Sequence, residues 1–142
     1  MRAVVQRVTR AEILVGGSVV GAIDRPGLLV LVGITHEDGA KQVRWMARKI
    51  AELRILRDER SVTDANAPVL VVSQFTLYGD ARKGRRPTWQ AAAPGPLAEP
   101  VYESLCADLS GLGVEVQRGR FGADMAVSLV NDGPVTLVLQ SP

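Results

Sequence analysis

Leu28-Leu29-Val30-Leu31-Val32-Gly33-Ile34 contains no polar side chain, the pattern of a strand buried on both faces. Thr35-His36-Glu37-Asp38 follows and offers N-cap chemistry with early negative charge. Val43, Met46, Ala47, Ile50 and Leu53 then recur at helical spacing, which predicts an amphipathic helix over about 38–54. Its opposite face carries Lys41, Arg44, Arg48 and Lys49. A doubly buried strand feeding a one-sided helix calls for a sheet with helices laid on it.

Upstream, residues 2–8 read as a strand, and 11–15 and 18–23 as a hairpin joined at Gly16-Gly17. Downstream, 57–68 is polar and turn-rich, and 69–78 is a strand whose second half turns polar. Residues 79–96 lack periodicity and contain Pro87, Pro94 and Pro96, a long loop of the kind that carries function. A second helix over 97–110 points Val101, Leu105 and Leu109 inward and ends at Gly111 or Gly113. Strands at 114–118, 125–130 and 135–140 complete the chain. Without repeats, low-complexity tracts or linkers, residues 1–142 form one α+β domain, strand-rich and barrel-like, with two helices packed on it.

Composition narrows the chemistry. Hydrophobic residues make up 46% and charged residues 23%, the balance of a soluble globular protein. Six aromatics against 20 valines imply an aliphatic, strand-biased core. The net charge of +2 does not by itself mark a nucleic-acid binder, so the placement of the charges decides. No uncharged apolar run approaches the roughly 18 residues of a membrane span. Charge interrupts Met1-Arg2-Ala3-Val4-Val5-Gln6-Arg7 too early for a signal peptide, so the cytoplasm is expected. A single cysteine, Cys106, excludes an internal disulfide and multi-cysteine metal sites; it belongs to the second helix and its core. A single histidine, His36, would have to serve any triad or metal site, yet it sits beside two acids at a helix start, a surface position.

Three stretches stand out. Ser73-Gln74-Phe75-Thr76 brings polar groups to the end of a buried strand. Asn131-Asp132-Gly133-Pro134 reads as a hairpin turn, although Pro134 is odd in a two-residue hairpin and X-Pro is where a cis bond is cheap. Arg82-Lys83-Gly84-Arg85-Arg86 has no acid within it and suits phosphate binding as well as a solvated charge run.

Together these stretches resemble the D-aminoacyl-tRNA deacylases. The likeness begins at Met1 to Val8, continues through Lys49 to Ile55, and takes in Ser73-Gln74-Phe75-Thr76-Leu77 and Lys83-Gly84-Arg85-Arg86-Pro87. Gly119 to Met125 and Asn131-Asp132-Gly133-Pro134-Val135-Thr136 complete it. One departure is visible: the segment before Ser61-Val62 is shorter than the family's and lacks its Lys-Met-Asn. The resemblance implies a homodimer with its active site at the subunit interface. It implies a cis Gly133-Pro134 projecting into the partner's site to reject L-amino acids. The implied reaction, without metal or cofactor, is hydrolysis of D-aminoacyl-tRNA and of glycine mischarged on alanine tRNA. Ser73, Gln74, Phe75 and Thr76 would form the catalytic segment, with main-chain N–H groups near Phe75 and Thr76 as an oxyanion hole. Phe75 and Met125 would border the terminal adenine, and Lys83, Arg85 and Arg86 would meet phosphates. No base is evident for Thr76 as a nucleophile, which favours an orienting role assisted by the RNA 2′-hydroxyl. The rival reading is a non-catalytic tRNA-binding module that uses the same basic loop.

Overall fold

The computed structural model describes residues 1–142. Its strands are β1 (Arg2–Val15), β2 (Ser18–Ile23), β3 (Gly27–Gly33), β4 (Pro68–Ser73), β5 (Glu115–Arg118) and β6 (Ala126–Gln140). The helices are α1 (Ala40–Glu52), α2 (Val62–Ala65) and α3 (Gly95–Gly111), with 3-10 turns at Arg57–Glu59 and Phe75–Tyr78. The sheet order is β2-β1-β3-β4-β5, with β6 on the other side of β1. β1 runs antiparallel to β2, β3 and β6, whereas β3, β4 and β5 are mutually parallel. The parallel pairs are those whose strands are joined through α1 and α3, as a crossover connection requires.

β3 and β4 are apolar on both faces because both faces are covered. Leu28, Val30, Val32, Val69 and Val71 face the larger core under α1 and α3. Leu29, Leu70 and Val72 face a smaller core with Val8, Ala11 and Ile13. β1 serves both cores by changing phase: its buried positions run Ala3, Val5, then Val8, Ala11, Ile13. The two three-residue steps coincide with register shifts against β6 between Gln6 and Val8 and between Val8 and Arg10. Each irregularity bends the ribbon, so one strand turns from the first core to the second. β2 then reaches β5, and the backbone carbonyl of Arg118 lies directly against Gly21, leaving no room for a Cβ. The sheet is thereby curled nearly into a barrel.

Several expectations need correcting. Residues 2–8 and 11–15 are one strand, and so are 125–130 and 135–140: Asn131 to Pro134 is a bulge in continuous β6, not a hairpin turn. The 69–78 strand stops at Ser73. The 57–68 segment adds a third helix, α2, capped by reciprocal Ser61 and Asp64 hydrogen bonds of 3.1 and 3.0 Å. Residues 35–38 do not cap α1, whose N-cap is Gly39; the Asp38 carboxylate instead pairs with the Met1 ammonium and accepts the Thr35 N–H at 2.8 Å. The hairpin stands, with both Gly16 and Gly17 at positive φ (56° and 79°), as its tight turn requires. Cys106 is buried in α3, and burial pushes its thiol up to about 11.

Candidate functional site

A cavity of about 750 Å³ opens where β4 ends. Val72 and Ser73 lead the chain into it; Gln74 N donates the last ladder bond, to Val32 O at 2.7 Å, and the main chain then turns away. Residues 75–78 coil into a single 3-10 turn. Its first return bond is from Leu77 N to Gln74 O at 3.3 Å. The N–H groups of Phe75 and Thr76 precede that bond and have no acceptor within the turn. Gln74 Nε2 donates to Thr76 Oγ1 at 3.0 Å. An amide N–H is a donor, so this contact orients the hydroxyl and cannot deprotonate it.

Aromatic and small residues shape the rest. Phe75 is 55% exposed and Trp89 42% exposed, and they meet edge to face at 5.4 Å between centroids. Trp89 lies against Gly79, where a Cβ would stand 2.6 Å from its ring. Phe121, Met125 and the start of α3 at Gly95 and Ala98 form the other walls. None of the cavity-lining residues is Asp, Glu, His, Lys, Arg or Cys. His36 is exposed, outside the lining, with Nε2 3.1 Å from Gln90 O. No group of three or more His, Cys, Asp or Glu side chains is placed to hold a metal ion.

The structure therefore brings Ser73, Gln74, Phe75, Thr76 and Met125 to one cavity. It does not bring Lys83, Arg85, Arg86, Gly133 or Pro134 to that lining. Arg82 is neutralised by Asp80 through bonds of 2.9 and 2.6 Å, which hold the Asp80 carboxyl down at about 2. The compensating acid lies just before the basic run, so three free cations remain in it. Lys83, Arg85 and Arg86 are exposed and have no ion-pair partner. The Gly133-Pro134 bond is cis, with Gly133 at φ +127°. Around it, Arg7 Nε donates to Asp132 O at 2.9 Å, and Arg57 grips the Asp132 carboxylate at 3.2 and 2.6 Å. That contact lowers the Asp132 pKa, chiefly through the Arg57 hydrogen bond.

Sequence reading missed Trp89, Phe121 and Arg2. Trp89 lies in the long loop and carried a signal, as one of two tryptophans. Arg2 carried none: its Nη1 donates to Leu77 O at 2.7 Å and its guanidinium lies 4.9 Å over Tyr78, which fastens the 3-10 turn from the far end of the chain.

These features define a curled α+β domain with a neutral, aromatic-rimmed cleft beside unpaired main-chain donors. The family model described as D-Tyr-tRNA(Tyr) deacylase matches residues 4–140, and the chain belongs to that family. It is 64% identical over 141 residues to a D-aminoacyl-tRNA deacylase of Kineococcus radiotolerans, covering 99% of this chain and 100% of the relative. A D-aminoacyl-tRNA deacylase of Thermobifida fusca is 61% identical over 140 residues, with 99% of each chain covered. Among solved structures, one described as a c-Myc DNA Unwinding Element Binding Protein superposes with a TM-score of 0.92 at 44% identity, over 100% of this chain and 99% of that one. Another, described as "a probable eukaryotic D-amino acid tRNA deacylase", reaches 0.81 at 16% identity over 97% of each chain and shares the fold. No helix is long and apolar enough to cross a membrane.

Proposed function

We propose that this chain hydrolyses the ester joining a D-amino acid, or glycine, to the 3′-terminal adenosine of tRNA, acting in the cytoplasm as a trans-editing enzyme. The observation that carries this reading is the cavity itself: Phe75 and Thr76, whose main-chain N–H groups have no acceptor within their turn, line a space with no ionisable side chain. An aminoacyl ester is already activated, so its hydrolysis asks mainly for water and stabilisation of the oxyanion. Water adds to the carbonyl carbon, the bond to the ribose 3′-oxygen breaks, and the proton released by water ends on that oxygen. The RNA 2′-hydroxyl, adjacent to the leaving oxygen, relays it. The N–H groups of Phe75 and Thr76 receive the developing negative charge, at typically ~3 kcal/mol per donor. Thr76, fixed by Gln74, orients the ester. Phe75 and Met125 border the adenine, and Lys83, Arg85 and Arg86 hold backbone phosphates without reading sequence.

Chirality is set by exclusion rather than attraction, because the lining offers no charged group to recognise an amino-acid side chain. Gly133 and Pro134 supply the wall, and glycine, with no side chain to reject, passes as well. Within one chain they lie outside the cavity, so they act in the cavity of a second copy of the chain. β6 leaves one edge unpaired, with Val130 at 40% and Val138 at 67% exposure, a surface suited to that second copy.

Deacylation of D-tyrosyl-, glycyl- and L-tyrosyl-tRNA tests the proposal. Release of D-tyrosine and glycine with L-tyrosine retained is expected; protection of all three esters would establish the non-catalytic binder instead. A tRNA ending in 2′-deoxyadenosine should react far more slowly, and full reactivity would refute the relay. Gly133→Ala should impair discrimination or activity, since Gly133 adopts φ +127°, a conformation an L side chain rarely takes.

A further inference from the structure

We infer that the outward face of α1 is a second docking surface for the phosphate backbone of the tRNA stem, separate from the 82–86 loop; this rests on the tRNA reading above. Lys41, Arg44 and Arg48 follow one another at roughly one-turn spacing, with Lys49 beside Arg48, on one face with Trp45 and Glu52. These four cations against Glu52 give a net +3, more than the +2 of the whole chain. Only Arg48 has a partner, Glu52, at 3.6 Å. Lys49 is steadied by the Trp45 ring at 5.7 Å.

Lys49, in the last turn, suits the helix dipole, but the rest of the pattern works against the helix. Lys41 lies in the first turn, where the helix dipole disfavours a cation and no acid is present. Arg44 and Arg48 form a like-charge pair at i,i+4, which destabilises an isolated helix. A face serving only solvation would alternate signs. A face with four cations against one acid, with Lys41 and the Arg44–Arg48 pair placed at a cost to the helix, is complementary to a polyanion. It is joined to the cleft by a short segment: α1 begins six residues after the cavity-lining Ile34, and Thr35 Oγ1 donates to Ala91 O at 2.7 Å on the loop that forms the rim. A tRNA whose single-stranded end enters the cleft must lay its paired stem on adjoining surface, and α1 supplies positive charge there.

The experiment uses the full chain with Lys41→Gln, Arg44→Gln and Lys49→Gln combined; all three are exposed, and glutamine retains good helix propensity. tRNA binding is measured against salt concentration. Deacylation is measured on full-length D-aminoacyl-tRNA and on an aminoacylated oligonucleotide comprising the single-stranded 3′ end alone. The expected result is a tRNA Kd raised about tenfold and a salt slope shallower by about two to three ions. Turnover of the stemless substrate should be unchanged. An unchanged Kd and slope, or an equal loss on both substrates, overturns the inference. Wild-type protein that binds tRNA but cleaves neither substrate would refute the deacylase reading while leaving the docking surface standing.

Discussion

Arg2 offers the sharpest perturbation of the site, because it touches no cavity-lining atom and yet holds the turn that presents Phe75 and Thr76. Its Nη1 donates to Leu77 O at 2.7 Å, its Nε to Gln140 Oε1 at 2.8 Å, and its guanidinium lies 4.9 Å from the Tyr78 centroid. A hydrogen bond from a charged donor contributes about 1.5–3 kcal/mol where partly buried, and a cation–π contact at an exposed site about 0.5–1 kcal/mol. Screening of the exposed Gln140 bond reduces the total, so Arg2→Ala should cost about 2 kcal/mol. For 142 residues the unfolding entropy is about 0.3 kcal/mol/K, so Tm should fall by about 7 °C.

The activity change should be distinctive. With Leu77 O released, the turn wanders and the two N–H groups lose their aim, so kcat should fall about tenfold on D-tyrosyl-tRNA while KM stays near wild type. Arg2→Lys keeps a cation near Tyr78 but cannot reach both acceptors with a planar fork, so it should restore less than half of the loss. Thermal unfolding and steady-state deacylation read both effects. An Arg2→Ala protein with wild-type Tm and kcat would refute the positioning role.

Gly79→Ala should displace Trp89 from the edge of Phe75, since the new Cβ would lie 2.6 Å from Trp89 and 3.0 Å from Thr76 O; a cost of about 1–3 kcal/mol and altered tryptophan fluorescence are expected, and an unshifted spectrum argues against it. Tyr78→Phe removes a buried hydroxyl that has no partner, so stability by thermal melting should hold or rise, and a loss above about 1 kcal/mol would contradict this. Asp132 has its pKa lowered by Arg57, so the stability it contributes is present above the unfolded value near 4 and is lost as pH falls through the lower folded value. Asp132→Asn should flatten that part of the acid-unfolding curve, and an identical curve would dissociate the pair from stability.

Legibility in the sequence followed the range of the interactions. β3, α1 and the Gly16-Gly17 hairpin were readable because periodicity and turn chemistry are local. The continuity of β1 was not, because the steps from Val5 to Val8 and from Val8 to Ala11 look like the end of a strand. They are phase changes that make sense only against β6, more than 120 residues away. β6 hid in the same way: Asn131-Asp132-Gly133-Pro134 has turn composition, yet Asn131 bridges the bulge by accepting Val135 N at 3.1 Å and donating to Thr136 Oγ1 at 2.9 Å. The ladder's last bond, Gln74 N to Val32 O, joins residues 42 apart in sequence, and the turn after it is held by Arg2. The candidate residues of the cleft were therefore legible as a group, while what aims them was not.

The neutral cleft and the two basic surfaces divide the work in a way that follows from the substrate. A tRNA carries many charges and one weak bond, and a cation at the ester would attract phosphates into the space the amino acid must occupy. On the proposed reading, cations at residues 83–86 and on α1, outside the lining, let electrostatics govern encounter and salt dependence without entering the chemical step. Inside, low polarity would strengthen the two proposed main-chain donors, which are worth little in water. Such donors also distinguish an oxyanion from its surroundings without attracting any particular side chain, so selectivity falls to shape. On the proposed reading, a site built this way would reject what does not fit and tolerate what is small, and tolerance of glycine would accompany indifference among D-amino acids.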